Sequence, residues 1–322
     1  MPEKRSDVHN QHKRKKTRRG GIGRIILIIF LVLLLGIGFF VWKVYSDVTG
    51  TTDKIYKNVE TEEVRNKPVD IKHDDEPFSV LLLGVDTGDL GRTERGRSDT
   101  MMVLTVNPNT NKTTILSIPR DTYTEIVGKG KKDKINHAYA FGGVQMSVNT
   151  VQKMLDIPID YYVEVNMQGL KDIVDALGGV TVTPPLTFKQ DQYTFTEGQS
   201  VTLDGNAALA YSRMRHEDPQ GDYGRQARQR QIISASMKKV ASLSSIMNYQ
   251  SVLKSLESNM TTNLAFGDMV DIFNDYRGAA GNVEQIQMTG SGTKIDGIYY
   301  DIVSDKEMND ISNQLREQLE MK

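Results

Sequence analysis

Apolar positions along the chain fall into short β-like runs and longer helical spacings that alternate. Phe78 to Val85 reads FSVLLLGV, a nearly continuous apolar stretch closed by Gly84 and Asp86. Such a run fits a central strand buried on both faces. Met101–Val106 and Thr113–Ile118 are two more β-rich runs, joined by NPNTNK, whose Pro and Asn residues favour a tight turn between antiparallel partners. Helical spacing takes over from about His137 to Leu155, followed by a strand in IDYYVEVN and a helix from Met167 to Leu177 that Gly178 and Gly179 stop. A strand resumes at Val180–Thr183. Helices are predicted over Gly205–Met214, from Asp222 to about Leu243, and twice more through residues 245–276. A strand near Val283–Met288 and a closing helix from about Asp305 to Leu319 complete the chain. Alternating strands and helices with one hairpin predict an α/β domain with a mixed central sheet flanked by helices.

The N-terminal pattern is different. Residues 1–24 are basic and polar, and cannot bury enough apolar surface to offset chain entropy. Ile25 to Trp42 then runs for 18 residues without a charge, about the length that crosses a bilayer core as a helix. Eight Lys and Arg precede Arg24 and only Lys43 closes the far side, which puts the N-terminus in the cytoplasm. The stretch FFVWKVY offers no small-x-small cleavage site, so the segment reads as a signal anchor that stays uncleaved. The expected organisation is a cytoplasmic tail over 1–24, a transmembrane helix over 25–42, a solvated stalk over 43–76 and one extracellular domain over 77–322.

Charge sharpens that division. The formal net charge is −1, yet residues 44–322 carry 30 basic against 39 acidic side chains. An exported domain that acidic has no general polyanion-binding surface, so nucleic acid is not an expected partner and any basic site must be local. Cys is absent, which removes disulfides, thiol catalysis and thiolate metal sites.

Polar chemistry gathers in three places. The first is LLLGVDTGDLGRTERGRSDT, at the carboxyl end of the predicted central strand, where α/β sheets place ligands. Asp86 and Asp99 there could converge on one Mg²⁺ or Mn²⁺ ion, a hard cation suited to two carboxylates plus substrate phosphates. Separately, each fits a plainer role, Asp86 capping a turn and Asp99 opening a strand, with Arg92, Arg95 and Arg97 as loop solvation. The second is SIPRDTY with the basic segment KGKKDKINHAY. Arg120 emerges there beside Asp121, Lys134 sits among other lysines, and His137 enters a helix. The third is YSRMRHEDPQGDYGRQARQRQ. On its helix Arg225 and Gln229 share a face while Arg228 and Arg230 point elsewhere, and Arg213 and Arg215 reach in from the preceding segment. Arg suits several oxygens of one phosphate because its planar fork donates in pairs and keeps its charge when partly buried.

The strings LLLGVD, RSDTMMVLTVNP, SIPRDTY, KINHAYAFGG, DALGGV, LDGNAALAYSRMRH and DYGRQARQRQ occur in an order and spacing that resemble the LytR-CpsA-Psr family of wall-polymer transferases, in its wall teichoic acid branch. The resemblance implies a mixed sheet flanked by helices with an apolar channel for a prenyl tail. It also implies Mg²⁺ at the positions of Asp86 and Asp99, and a lipid pyrophosphate held by Arg97, Arg120, Arg213, Arg215 and Arg225, with Lys134 and Gln229 as further pocket positions. Asp86, Asp99 and Arg120 would be the catalytic set. No accessory domain is expected between anchor and core or after the closing helix.

The expected activity is transfer of an anionic polymer from an undecaprenyl-pyrophosphate-linked donor to a peptidoglycan sugar hydroxyl, next to the membrane lipid that holds the donor. Two other classes fit parts of the pattern. A wall glycan hydrolase would use Asp86 and Asp99 as a carboxylate pair but leaves the arginines unexplained. A non-catalytic prenyl-pyrophosphate receptor would use the arginines without turnover.

Overall fold

The computed structural model describes residues 46–321, apart from residues 48, 49, 52, 63, 66, 73–75, 87–95, 243–256 and 258. The chain divides into two compact units, residues 1–46 and 47–322. The expected tail and membrane helix lie outside the described residues. Among the described residues no helix is long and apolar enough to cross a membrane.

The second unit is built on a six-stranded mixed sheet. Its first strand, β1, spans Phe78–Val85 and pairs antiparallel with β2 (Ser98–Asn107), which in turn pairs antiparallel with β3 (Lys112–Ser117). A small hairpin follows, β4 (Tyr123–Ile126) with β5 (Lys131–Lys134), then helix α1 (His137–Leu155) and strand β6 (Tyr161–Asn166), parallel to β1. Helix α2 (Met167–Ala176), strand β7 (Val180–Val182), hairpin β8 (Phe188–Gln190) and β9 (Tyr193–Phe195), strand β10 (Val201–Leu203) and helix α3 (Gly205–Arg213) form a lateral lobe. The long helix α4 (Asp222–Ser242) returns across the sheet. Strand β11 (Met260–Thr262), helix α5 (Phe266–Asp275), strand β12 (Val283–Gln287), hairpin β13 (Ser291–Ile295) and β14 (Ile298–Ile302), and helix α6 (Asp305–Gln318) end the chain. The sheet order is β11-β6-β1-β2-β3-β12.

Alternation along the strands explains the layers. Leu81, Leu83, Met101, Val103 and Leu116 face one side and pack against Val148, Val151 and Leu155 of α1 and Ile311 and Leu315 of α6. Val80, Met102, Leu104 and Ile115 face the other, with half-buried Ile233 and Met237 of α4 and Ile272 of α5. Both faces are covered, which is why β1 reads as an unbroken apolar run.

Two expectations need adjusting. Helix α1 is kinked where Gly143 takes φ 66°, a conformation that a side chain disfavours and that the GlyGly pair of AFGGV permits. The segment expected as a solvated stalk packs on the domain over much of its length. Ile55 and Ile71 are buried, Lys57 N–H donates to Thr262 O at 2.7 Å, and Arg65 pairs with Asp160 at 2.7 Å. Isolated apolar residues in a charged run are too sparse for a periodic signal, yet Val59, Val69 and Ile71 pack into the core. Of the two helices expected through residues 245–276, α5 is present and the other falls mostly outside the described residues.

Candidate functional site

The carboxyl end of β1 is built around a bulge. Gly84 pairs with Thr100 but Val85 pairs with Ser98, so Asp99 is the extra residue of β2. A bulge re-aims a side chain and bends the strand, and it turns the Asp99 carboxylate toward the end of β3. Arg120 meets it there, three residues past β3, with its NH1 donating to Asp99 Oδ1 at 2.8 Å. Asp86 leaves the end of β1, and its Oδ1 accepts the backbone N–H of Arg97 at 3.0 Å. A Cβ on Gly96 would overlap that carboxylate oxygen, so glycine is what lets the returning loop come so close.

Helix α4 supplies the third element. Arg225 NH2 donates to the Asp99 carbonyl at 3.2 Å and pairs with Asp222 Oδ1 at 2.7 Å. Arg120 and Arg225 therefore converge on one residue from opposite sides of the molecule's sequence. The Nε of each is buried without a hydrogen-bond partner, as is Gln229 Oε1, while Gln229 Nε2 reaches Ser212 O at 3.5 Å. Burial works against the Arg120 charge, but Asp99, Asp121 and Asp222 outweigh it and hold its pKa above the ordinary guanidinium value. For Arg225 burial dominates and lowers the pKa despite Asp222, with Arg120 and Arg215 adding repulsion. This is a concentration of positive charge that the protein's own acids only partly neutralise.

The neighbouring positions follow from backbone pairing. Asp301 N–H donates to Asp121 O at 2.9 Å and Ile135 N–H to Thr122 O at 2.9 Å, so the SIPRDTY turn is clamped between β14 and β5. That brings Lys134 Nζ to Asp121 Oδ1 at 2.6 Å. Asp99, Arg120, Lys134, Arg215, Arg225 and Gln229 thus assemble in one region. Arg97 contributes its backbone N–H to Asp86, and its side chain is exposed. Arg213 is exposed at the end of α3 and, among the described residues, makes no side-chain ion pair. The two remaining basic residues of the α4 cluster are structural. Arg228 is fully buried and donates to Asp218, to Met214 O and to Tyr211 O. Arg230 reaches Ser117 Oγ at 2.7 Å and Gln287 Oε1 at 2.6 Å, and burial pulls its pKa down to about 10.

A cavity of about 300 Å³ adjoins Arg120, lined by Asp121, Asp222, Asp301, Tyr223 and Tyr299. Asp301 and Tyr223 escaped the motif reading. The available signal was a single acid inside the apolar strand IYYDI of β14. Tyr223 OH donates to Asp301 Oδ2 at 2.6 Å. Burial raises the Asp301 pKa above the ordinary carboxylate value, with Asp121 and Asp222 adding to the rise against the hydrogen bond from Tyr223.

A metal's residues can be tested against this geometry. Among the described residues no group of three or more His, Cys, Asp or Glu gathers to hold an ion. Asp86 and Asp99 stand at the ends of adjacent strands and offer hard oxygen donors only, which fits Mg²⁺ completed by substrate phosphates and water rather than a caged ion.

An α/β domain whose arginines converge beside two strand-end carboxylates is one built to receive a phosphate-bearing ligand. The chain belongs to the LytR_cpsA_psr family, whose family model matches residues 39–317. It is 50% identical over 299 residues to the polyisoprenyl-teichoic acid–peptidoglycan teichoic acid transferase TagU of Enterococcus faecalis, covering 92% of this chain and 96% of that protein. The crystal structure of Bacillus subtilis TagU is similar at TM-score 0.62 and 49% identity, over 77% of this chain and 98% of that one. A structure of TagT bound to LIIa-WTA matches at TM-score 0.69 and 34% identity, over 83% of this chain and 99% of that one. The mixed sheet and its flanking helices are those of the family.

Proposed function

We propose that the chain is a phosphotransferase that passes wall teichoic acid, or a closely similar anionic glycopolymer, from its undecaprenyl-pyrophosphate-linked precursor to a sugar hydroxyl of peptidoglycan. The observation that carries this reading is the convergence of Arg120 and Arg225 on Asp99, with Arg225 Nε buried without an acceptor and Arg120 Nε facing only Asp121 at 3.7 Å, beyond hydrogen-bond distance. Buried guanidinium N–H groups without acceptors are costly, and pyrophosphate oxygens are the acceptors that the reaction brings. The relatives named as teichoic acid transferases supply the polymer and the acceptor.

In the reaction the acceptor's hydroxyl oxygen forms a bond to the phosphorus that carries the polymer, and the bond from that phosphorus to the bridging oxygen breaks. Undecaprenyl phosphate leaves and a phosphodiester remains. Charge grows on the bridging oxygen, so the chain's task is positioning and electrostatic stabilisation. Arg120 and Arg225 are placed to fork onto the pyrophosphate, Arg215 adds positive charge, and Lys134 pairs with Asp121, whose other oxygen lies 3.7 Å from Arg120 Nε. Asp86 and Asp99 would hold Mg²⁺, which when bound neutralises phosphate oxygens. Either aspartate, once freed from the ion, would be able to accept the proton of the sugar hydroxyl. The prenyl tail would lie against the half-buried apolar side chains between sheet and helices, Leu82 and Val163 on one side and Ile233, Met237 and Ile272 on the other.

Residues 25–42 would anchor the chain with its N-terminus in the cytoplasm and the domain outside. Tethering to the bilayer that holds the donor raises the donor's effective concentration. The test is the full chain in lipid nanodiscs, incubated with Mg²⁺, a prenyl-pyrophosphate-linked polymer precursor and a peptidoglycan oligomer. Phosphodiester-linked product that disappears with EDTA supports the reading. Donor binding without product, under conditions where a relative such as TagU turns over, replaces it with a receptor.

A further inference from the structure

The cavity beside Arg120 differs in chemistry from the arginine cluster. Two of its carboxylates are ion-paired, Asp121 with Lys134 at 2.6 Å and Asp222 with Arg225 at 2.7 Å. Asp301, among the described residues, has no cationic partner. It is 4% exposed, its Oδ2 takes the Tyr223 hydroxyl at 2.6 Å, and its Oδ1 is buried without a hydrogen-bond partner. A buried carboxylate oxygen in that condition awaits a donor. On the rim stands Tyr299, 48% exposed, with Ile298 and Ile302 also exposed on the same strand.

Charge narrows the occupant. A cation entering here meets Arg120 and Arg225 next door, and an anion meets three carboxylates. A neutral ligand rich in hydroxyl donors suffers neither repulsion, and an apolar ring face is what an exposed tyrosine accommodates. We propose that this cavity is the acceptor subsite, in which a neutral amino-sugar ring of the wall glycan donates a hydroxyl to Asp301 and lays its apolar face against Tyr299. The position suits the reaction, because the cavity shares Asp121 and Asp222 with the ion pairs that hold Arg120 and Arg225. The inference rests on the transferase reading and names the substrate class at one end of that site.

The experiment measures calorimetric binding of a neutral N-acetylglucosamine tetrasaccharide to the full chain in nanodiscs, beside binding of a short-chain prenyl pyrophosphate. Asp301→Asn and Tyr299→Ala are each expected to weaken glycan binding about tenfold and leave pyrophosphate binding unchanged. Tyr299 is on the rim, so its variant remains informative if Asp301→Asn fails to fold. Wild-type glycan affinity in Tyr299→Ala, or no glycan binding by the wild type, overturns the subsite. The two readings fail separately. Product formation with an unaltered glycan KM in Tyr299→Ala removes the subsite and keeps the transferase, whereas weakened glycan binding in both variants without wild-type product keeps a glycan site and removes transfer.

Discussion

Arg225 and Arg228 stand one turn apart on α4 and have opposite surroundings. Arg228 is enclosed by Asp218 and by the carbonyls of Tyr211 and Met214, and lies over the Phe188 ring with its guanidinium carbon 5.2 Å from the centroid. Arg225 has one carboxylate and one carbonyl, and keeps a buried Nε unmatched. The first arrangement closes the lateral lobe onto α4, and the second leaves one buried guanidinium N–H without an acceptor. Satisfaction of the guanidinium, rather than burial, separates an arginine that holds the fold from one that, on the proposed function, holds a ligand.

The largest effect should come from the satisfied partner. Arg228→Ala leaves Asp218 buried and unpaired, and is expected to cost about 3–5 kcal/mol, read as a lowered midpoint in denaturant unfolding. If Arg228→Ala were as stable as wild type, the distinction between the two arginines would collapse. Arg120→Ala should do the reverse, with an unfolding midpoint near that of the wild type and product formation reduced about 10²–10³-fold. Gly96→Ala sharpens the contrast, since its Cβ displaces the Asp86 carboxylate without removing any charge. A fall in turnover of about 10–100-fold at unchanged stability is expected.

That contrast was only partly legible in the sequence. The strands and helices that carry periodic apolar runs were, down to the bounds of β1 and α1, because both faces of the sheet are covered and the pattern is dense. The short hairpins β4–β5, β8–β9 and β13–β14 were not, since three to five residues carry too little alternation to separate from loops. Spacing on α4 did place Arg225 and Gln229 on a face apart from Arg228 and Arg230. It could not say which arginine would find Asp218, a matter of the turn before α4. Likewise Asp99 was visible as an acid near a strand start, whereas its exposure through a bulge depends on a register that only the β1–β2 pairing sets. Asp301 lies 180 residues beyond Asp121, and no local pattern joins them.

The smallest expected effect concerns pH. The Asp301 carboxyl is held above its ordinary value of 3.8 by burial first, then by Asp121 and Asp222. A raised folded pKa favours the protonated form, so the stability it contributes is complete below about pH 3.8 and is lost as pH rises through the raised value. Unfolding of wild type and Asp301→Asn measured across that range should show the wild type declining relative to the variant. Parallel curves would mean that the carboxyl has the same pKa in the folded and unfolded chain.

Arg120 and Arg225 as the pyrophosphate cradle are tested most directly by the affinity of the full chain for a short-chain prenyl pyrophosphate in wild type and Arg225→Ala. Affinity reduced about 10–100-fold in the variant, as the loss of one charge-assisted fork requires, is the expected result. Equal affinity in the two proteins would contradict the account.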